Sequence, residues 1–315
     1  MFRLPPLTSL ARLPDVALVA ESWLLPGGER RMRHRSVRVE RRLVSYGVVE
    51  GDGPTAIVVH GWGLAHPSYA RAAEHLAGEG YRVVVPDLPG FGRSSGLPLW
   101  RISFHGFAQV LAAFLRELGT EGDPVHLVGH SFGGAVCAQL AHDHPELVRS
   151  VVLVSSVSCA TWLRDEDGER LLAERPIWDW GRHLLSDFPL GEFPHAARSV
   201  LNDLGHNLTF NLPTLGMVGS LIRRADLRSV LESVAAGGVP CAVVWPSNDH
   251  VVTRASFEDQ CSALGCEGLV VEGNHGWPFA DPRSFGRVVG RLLAGGSERP
   301  PPAHLPRRRA GAPSV

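Results

Sequence analysis

The chain has 315 residues, an apolar fraction of 44% and a formal net charge of −1, and all 31 of its basic residues are arginine. That length holds one large domain or two small ones with a substantial core, and the near-zero charge offers no global field for nucleic acid or an anionic membrane. Five cysteines, Cys137, Cys159, Cys241, Cys261 and Cys266, form no C-x-x-C pair; they indicate neither a disulfide framework nor a zinc site, and reduced thiols fit a cytoplasmic protein.

In chain order, residues 1–35 read as an N-terminal extension, with PP, PGG and the basic run ERRMRHR around LPDVALVAESWLL, which suits one short amphipathic helix. This stretch has no unbroken apolar run and no small-residue cleavage site of a secretory leader. From residue 36 to 158 apolar runs alternate with helical patterns: the strands SVRVERRLV, TAIVVH, YRVVVPD, PVHLVG and SVVLVSS, and the helices SYARAAEHLAGEG, FHGFAQVLAAFLRELG and FGGAVCAQLAHDH. Near-continuous Val, Ile and Leu runs predict parallel strands buried on both faces. The alternation breaks over 159–238, a stretch of helices and loops carrying Trp162, Trp178, Trp180, Phe188, Phe193 and Phe210, which reads as an inserted helical lid. It resumes over 239–294 with CAVVWP, RASFEDQCSALG, GLVVEG and RSFGRVVGRLLAGG, and residues 295–315, rich in Pro and Arg, read as a disordered tail. No run reaches the length of a membrane span. The expected architecture is α/β, a mostly parallel doubly wound sheet, with chemistry in the loops beyond the carboxyl ends of its strands.

The stretch VHLVGHSFGGAV, residues 125–136, boxes Ser131 between Gly129 and Gly133, after a strand and at the start of a helix. A sharp strand-to-helix turn projects a nucleophile and leaves no room for side chains two residues to either side. The helix start offers the Phe132 N–H to a developing oxyanion. A second donor is expected from the loop after TAIVVH, where His60-Gly61-Trp62-Gly63 would supply the Trp62 N–H, with Gly61 and Gly63 permitting close approach. A base and an orienting acid are expected beyond later strands. Asp249 follows CAVVWP and His275 follows GLVVEG; His275 would take the Ser131 proton and Asp249 would hold its tautomer. Of the competing groups, His130 is expected to diverge from the serine, and His250 adjoins its own acid. Asp87 reads as a turn and capping residue, and Asp165 and Asp167 are the fallback acids.

HGWG, PDLPGFGRSS, GHSFGG and the Asp249 and His275 loops, in that order over roughly residues 38–294, resemble the α/β-hydrolase superfamily in its lid-bearing serine esterase and lipase-like branch. Two places depart from the family's pattern: Pro246 stands where a glycine is usual three positions before the acid, and Asp281-Pro282 follows GWPFA at a longer spacing from the histidine. The resemblance implies acyl transfer to water through an acyl-enzyme on Ser131, with no metal and no organic cofactor; a serine at the elbow argues against the branches that place aspartate there. The aromatic lid suits a small, largely apolar ester-like substrate, with Trp162, Trp178, Trp180, Phe210 and Trp277 as candidate pocket lining. Carbon–carbon bond hydrolysis, cofactor-free peracid chemistry or acyl transfer to another acceptor would use the same residues, and a non-catalytic binding protein on this fold is the rival of a different class. Nothing in the sequence specifies an oligomeric state.

Overall fold

A computed structural model describes residues 31–159 and 194–295. Eight strands form one sheet: β1 (Arg33–Val39), β2 (Arg42–Val49), β3 (Thr55–Val59), β4 (Arg82–Pro86), β5 (Val125–His130), β6 (Val148–Val154), β7 (Cys241–Pro246) and β8 (Leu269–Val271), in the spatial order β1-β2-β4-β3-β5-β6-β7-β8. β1 and β2 run antiparallel to their neighbours, and every pair from β4 to β8 is parallel. The apolar runs form central strands because both faces are covered, and successive residues alternate between two cores. Ile57, Val59, Val84, Leu127, Val151 and Leu153 enter one core; Ala56, Val58, Val83, Val85, Val128 and Val152 enter the other.

The helices divide between these faces. α1 (Ala70–Gly78) and α9 (Pro282–Leu293) pack together over one face, through Leu76, Phe285 and Val289. Over the other lie α2 (Phe104–Glu117) and α3 (Phe132–Asp143). Between β6 and β7 come α4 (Pro194–Phe210), α5 (Leu212–Ile222) and α6 (Arg228–Ala236); α7 (Arg254–Leu264) follows β7, and the short α8 (Trp277–Ala280) precedes α9. Among the described residues no helix is long and apolar enough to cross a membrane.

Three sequence expectations change. SVRVERRLV is a hairpin and not one strand: Glu40 takes a left-handed φ of 55°, and Val39 pairs with Arg42. Its first strand begins at Arg33, inside the stretch read as an extension, and its exposed arginines lie on the sheet's edge, where charge discourages pairing with another chain. Helix α6, inside the stretch read as lid, packs on α3 and α7 and buries Leu231 and Val234 in the main core, so it is a flanking helix of the sheet.

Candidate active site

The site is assembled at the carboxyl ends of β3, β5, β7 and β8. At the end of β5 the chain reverses so sharply that Ser131 adopts φ 53° and ψ −119°, a conformation that costs a non-glycine residue on the order of 1–3 kcal/mol. Its N–H donates to the Val154 carbonyl at 3.0 Å, and its own carbonyl accepts from Gly134 N–H at 3.0 Å and Val157 N–H at 3.3 Å. The flanking glycines are sterically required. A Cβ at Gly129 would lie 2.5 Å from Gly134 Cα, and one at Gly133 would lie 2.2 Å from the Val59 carbonyl oxygen.

Ser131 and His275 meet across 144 positions of sequence, with Ser131 Oγ 3.1 Å from His275 Nε2. The other ring nitrogen, Nδ1, donates to the Asp249 carboxylate at 3.0 and 3.1 Å. All three side chains are buried. Burial alone would raise the Asp249 pKa, but the His275 imidazole and the N–H groups of Val252 and Val251 outweigh it and hold the carboxyl below its ordinary range. Asp249 is therefore the charged member at neutral pH, and it fixes the His275 tautomer with Nε2 toward the serine.

The structure shows the surroundings of the two departures from the family pattern. Pro246 supplies a carbonyl that accepts from Asp249 N–H at 3.0 Å and closes the acid turn, while Asn248 N–H reaches the Gly273 carbonyl at 2.9 Å and ties this turn to the histidine loop. After His275 the chain makes the single turn of α8, and Asp281 then caps α9 by accepting from Ser284 N–H at 2.9 Å.

The HGWG loop lies beside the elbow, where a Cβ on Gly61 would come within 3.3 Å of both Ser131 Cβ and His130 Nδ1. His60 is fully buried and fastens the loop: Nδ1–H donates to the Gly61 carbonyl and Nε2 accepts from Leu88 N–H, each at 2.9 Å. Burial lowers its pKa, so the ring is neutral, as these two bonds require. Trp62 is partly buried and its indole N–H donates to the Leu215 carbonyl at 3.0 Å. Phe132 opens α3, where a backbone N–H has no intrahelical acceptor, and its ring packs with Phe91, Phe104 and Phe107 in the core.

Two of the five candidate lining residues are placed differently from expectation. Trp277 is 1% exposed and packs against Phe285 in the second core, so it is a core side chain and not a pocket wall. Phe210 ends α4 with 71% of its surface exposed, its ring against His206 and in neither core. Trp162, Trp178 and Trp180, with Asp165 and Asp167, lie outside the described residues.

The competing groups have other partners. His250 is exposed. Asp87 accepts from the His66 N–H at 2.7 Å and the His66 ring at 2.8 Å, which orders the loop after β3. His130 bonds to Tyr69 and to the His275 carbonyl. Among the described residues no group of three or more His, Cys, Asp or Glu is arranged to hold a metal ion.

Sequence reasoning passed over Tyr69, Asp203 and Asn207. Tyr69 reads as the start of a helix, although a tyrosine eight residues after Gly61 lies close enough to return to that loop. Asp203 and Asn207 stand four apart, the spacing of one helix face.

Comparison with known proteins bears on the family and the fold. A family model described as the alpha/beta hydrolase fold matches residues 54–216. A pimeloyl-[acyl-carrier protein] methyl ester esterase of Aeromonas hydrophila subsp. hydrophila is 38% identical over 254 residues, covering 76% of this chain and 95% of that protein. A fluoroacetate dehalogenase of Burkholderia sp is 38% identical over 151 residues, 45% of this chain, which spans about half (48%) of that relative's length. Among solved structures, a membrane phospholipase A described as a bacterial virulence factor superposes with a TM-score of 0.68 at 25% identity, over 85% of this chain and 87% of that one. The enol-lactonase of Burkholderia xenovorans LB400 shares the fold, with a TM-score of 0.68 at 17% identity over 82% of this chain and 100% of that one.

Proposed function

This chain belongs to the alpha/beta hydrolase family and is a hydrolase of ester-type bonds, and from that premise we propose that it cleaves a small, largely apolar carboxylic ester through an acyl-enzyme on Ser131. The observation that carries the reading is the continuous contact from Asp249 through His275 to Ser131, at 3.0 Å and 3.1 Å. The methyl ester esterase named above, similar over most of this chain, supports the ester as the bond cleaved.

In the first half-reaction Ser131 Oγ attacks the ester carbonyl carbon while His275 Nε2 takes its proton. The carbonyl oxygen becomes the oxyanion and is held by the Trp62 and Phe132 N–H groups. His275, now an imidazolium facing the Asp249 carboxylate, returns the proton to the leaving alcohol oxygen as the C–O bond breaks. In the second half-reaction water gives its proton to His275 and attacks the acyl carbon. Collapse of that intermediate breaks the bond to Ser131, which regains the proton, and the carboxylic acid departs.

The test is intact mass after exposure to a fluorophosphonate, for wild type and Ser131→Ala, followed by turnover of p-nitrophenyl esters from acetate to palmitate. One adduct on wild type, mapped to Ser131 and absent in the variant, is expected, together with a loss of ester turnover of about a millionfold in the variant. Turnover rising from acetate through the short acyl chains is expected for a small, largely apolar substrate. Folded wild type that takes up neither a large nor a small phosphonate and leaves the esters intact would overturn the reading.

A further inference from the structure

Three of the four loops that carry the groups assigned above are the loop after β3, the elbow after β5 and the histidine loop after β8. A single chain of buried hydrogen bonds joins them. The Gly61 N–H donates to Tyr69 Oη at 2.9 Å, Tyr69 Oη is 2.6 Å from His130 Nδ1, and His130 Nε2 is 2.9 Å from the His275 carbonyl oxygen. Tyr69 is fully buried, and His130 and His275 are 1% and 4% exposed.

With His130 neutral, as its burial favours, the protons in this chain have one arrangement. An amide can only donate, so Tyr69 accepts from Gly61 and sends its own proton to His130 Nδ1. A carbonyl can only accept, so His130 carries its hydrogen on Nε2 and donates it to His275. Both ring nitrogens of His130 are then occupied and the ring is neutral. Burial, with the charge of nearby His275 second, brings its pKa down to about 3. Phe279 packs edge-on against both rings, with centroids 4.8 Å from Tyr69 and 5.7 Å from His130, and so limits their movement. The His130 and His275 rings are 5.0 Å apart. A charged His130 would oppose the imidazolium formed on His275 during attack, and the tautomer set by Tyr69 prevents that.

We propose that Tyr69 and His130 are positioning residues for the reaction, holding the Gly61–Trp62 backbone and the His275 backbone at a fixed spacing around Ser131. The proposal rests on the reading of Ser131, His275 and the two N–H donors given above. Neither side chain is assigned a contact with substrate. Their effect is geometric: the oxyanion donors contribute only where the oxyanion forms, and a displacement of about 1 Å is worth about a hundredfold in rate.

The experiment compares Tyr69→Phe and His130→Gln with wild type, with rates expressed per fluorophosphonate-labelled site so that misfolded protein does not enter the comparison. Three quantities are read: kcat and KM on the preferred p-nitrophenyl ester, and inhibition by an aryl trifluoromethyl ketone, which forms a tetrahedral oxyanion on a nucleophilic serine. Each variant is expected to lower kcat by about 10- to 100-fold and to weaken ketone binding by a similar factor, with KM changing by less than about twofold. If either variant fails to fold, the other carries the test.

Unchanged kcat per labelled site in a variant, with wild type active, would overturn the positioning role and leave the serine mechanism standing. A loss confined to KM, or a fall in kcat with ketone affinity intact, would likewise overturn it. Wild type that takes no label and turns over no ester would remove the serine mechanism itself, and the positioning role with it.

Discussion

In the proposed mechanism Asp249 has a function at the residue scale that its charge alone does not describe. Its carboxylate meets His275 Nδ1 and accepts from the N–H groups of Val251 and Val252 at 2.8 and 2.9 Å, so one side chain sets both the tautomer of the base and the shape of its own loop. Replacement by asparagine keeps the volume and can keep a contact to the ring. The amide, however, has no charge to stabilise the imidazolium and permits the other tautomer. Asp249→Asn is therefore expected to lower kcat by about 10⁴-fold, with far-ultraviolet circular dichroism unchanged. Steady-state kinetics on the same ester checks this, and a variant within tenfold of wild type would mean that another carboxylate serves His275. The order Ser131, Asp249, His275 and the glycines around the serine were legible in the sequence because each belongs to a local turn. The Tyr69 contact was not, because a hydroxyl at a helix start carries no local sign of its partner.

At the element scale, α4 is fastened to the core by polar groups on a face that would ordinarily be apolar. Val200, Asp203 and Asn207 lie along one side of the helix and are all buried. Asp203 accepts from Ser68 Oγ at 2.5 Å and from Ala65 N–H at 3.2 Å. Asn207 donates to the Gly63 carbonyl and accepts from Gly92 N–H, each at 2.9 Å. The helix thus clamps the loop after β3, which contains Trp62, to the loop after β4. Asn207→Ala would leave the buried Gly63 carbonyl and the partly buried Gly92 N–H without these partners, and is expected to reduce the free energy of unfolding by about 1–3 kcal/mol. Urea denaturation monitored by tryptophan fluorescence measures this, and an unchanged midpoint would show that water replaces the amide. Burial of this face could not be read from composition, since Asp and Asn at helical spacing more often mark a solvated side.

For the whole molecule, the buried neutral histidines govern stability in acid. His130 has its pKa brought down from 6.5 to about 3 by burial, and His60 is also lowered by burial. Below about pH 6.5 the unfolded chain takes up protons that the folded chain refuses, so stability rises with pH across this interval and falls as acid is added. The His130 contribution is fully present above its unfolded pKa and is lost progressively down to about pH 3, on the order of 4–5 kcal/mol over the whole interval. Asp203 acts in the opposite sense, because burial raises its pKa and favours the folded state as its carboxyl protonates. Asp249 and Asp87, both lowered, lose their contribution only at still lower pH. Tm is accordingly expected to decline steadily from pH 7 to pH 4.5, with His130→Gln showing a shallower decline. A decline no shallower in His130→Gln than in wild type would contradict a neutral, fully bonded His130.

What the sequence determined by itself was whatever near neighbours settle. Val, Ile and Leu runs identify the parallel strands, because only strands covered on both faces tolerate them. Gly129 and Gly133 identify the elbow, because a sharp strand-to-helix turn leaves no room for side chains two residues to either side of the serine. The tertiary structure alone decided which side chains those elements bring together. An aromatic residue signals burial without an address, so Trp277 proved to be core and Phe210 surface. The packing of α6 on α3 depends on a partner that the local pattern does not name. The same holds for Asp203 on Ser68, Asn207 on Gly63 and His275 on Ser131, pairs separated by 135, 144 and 144 residues. A polar group is stable in the interior only when its partner is also present, and that partner comes from a distant part of the chain.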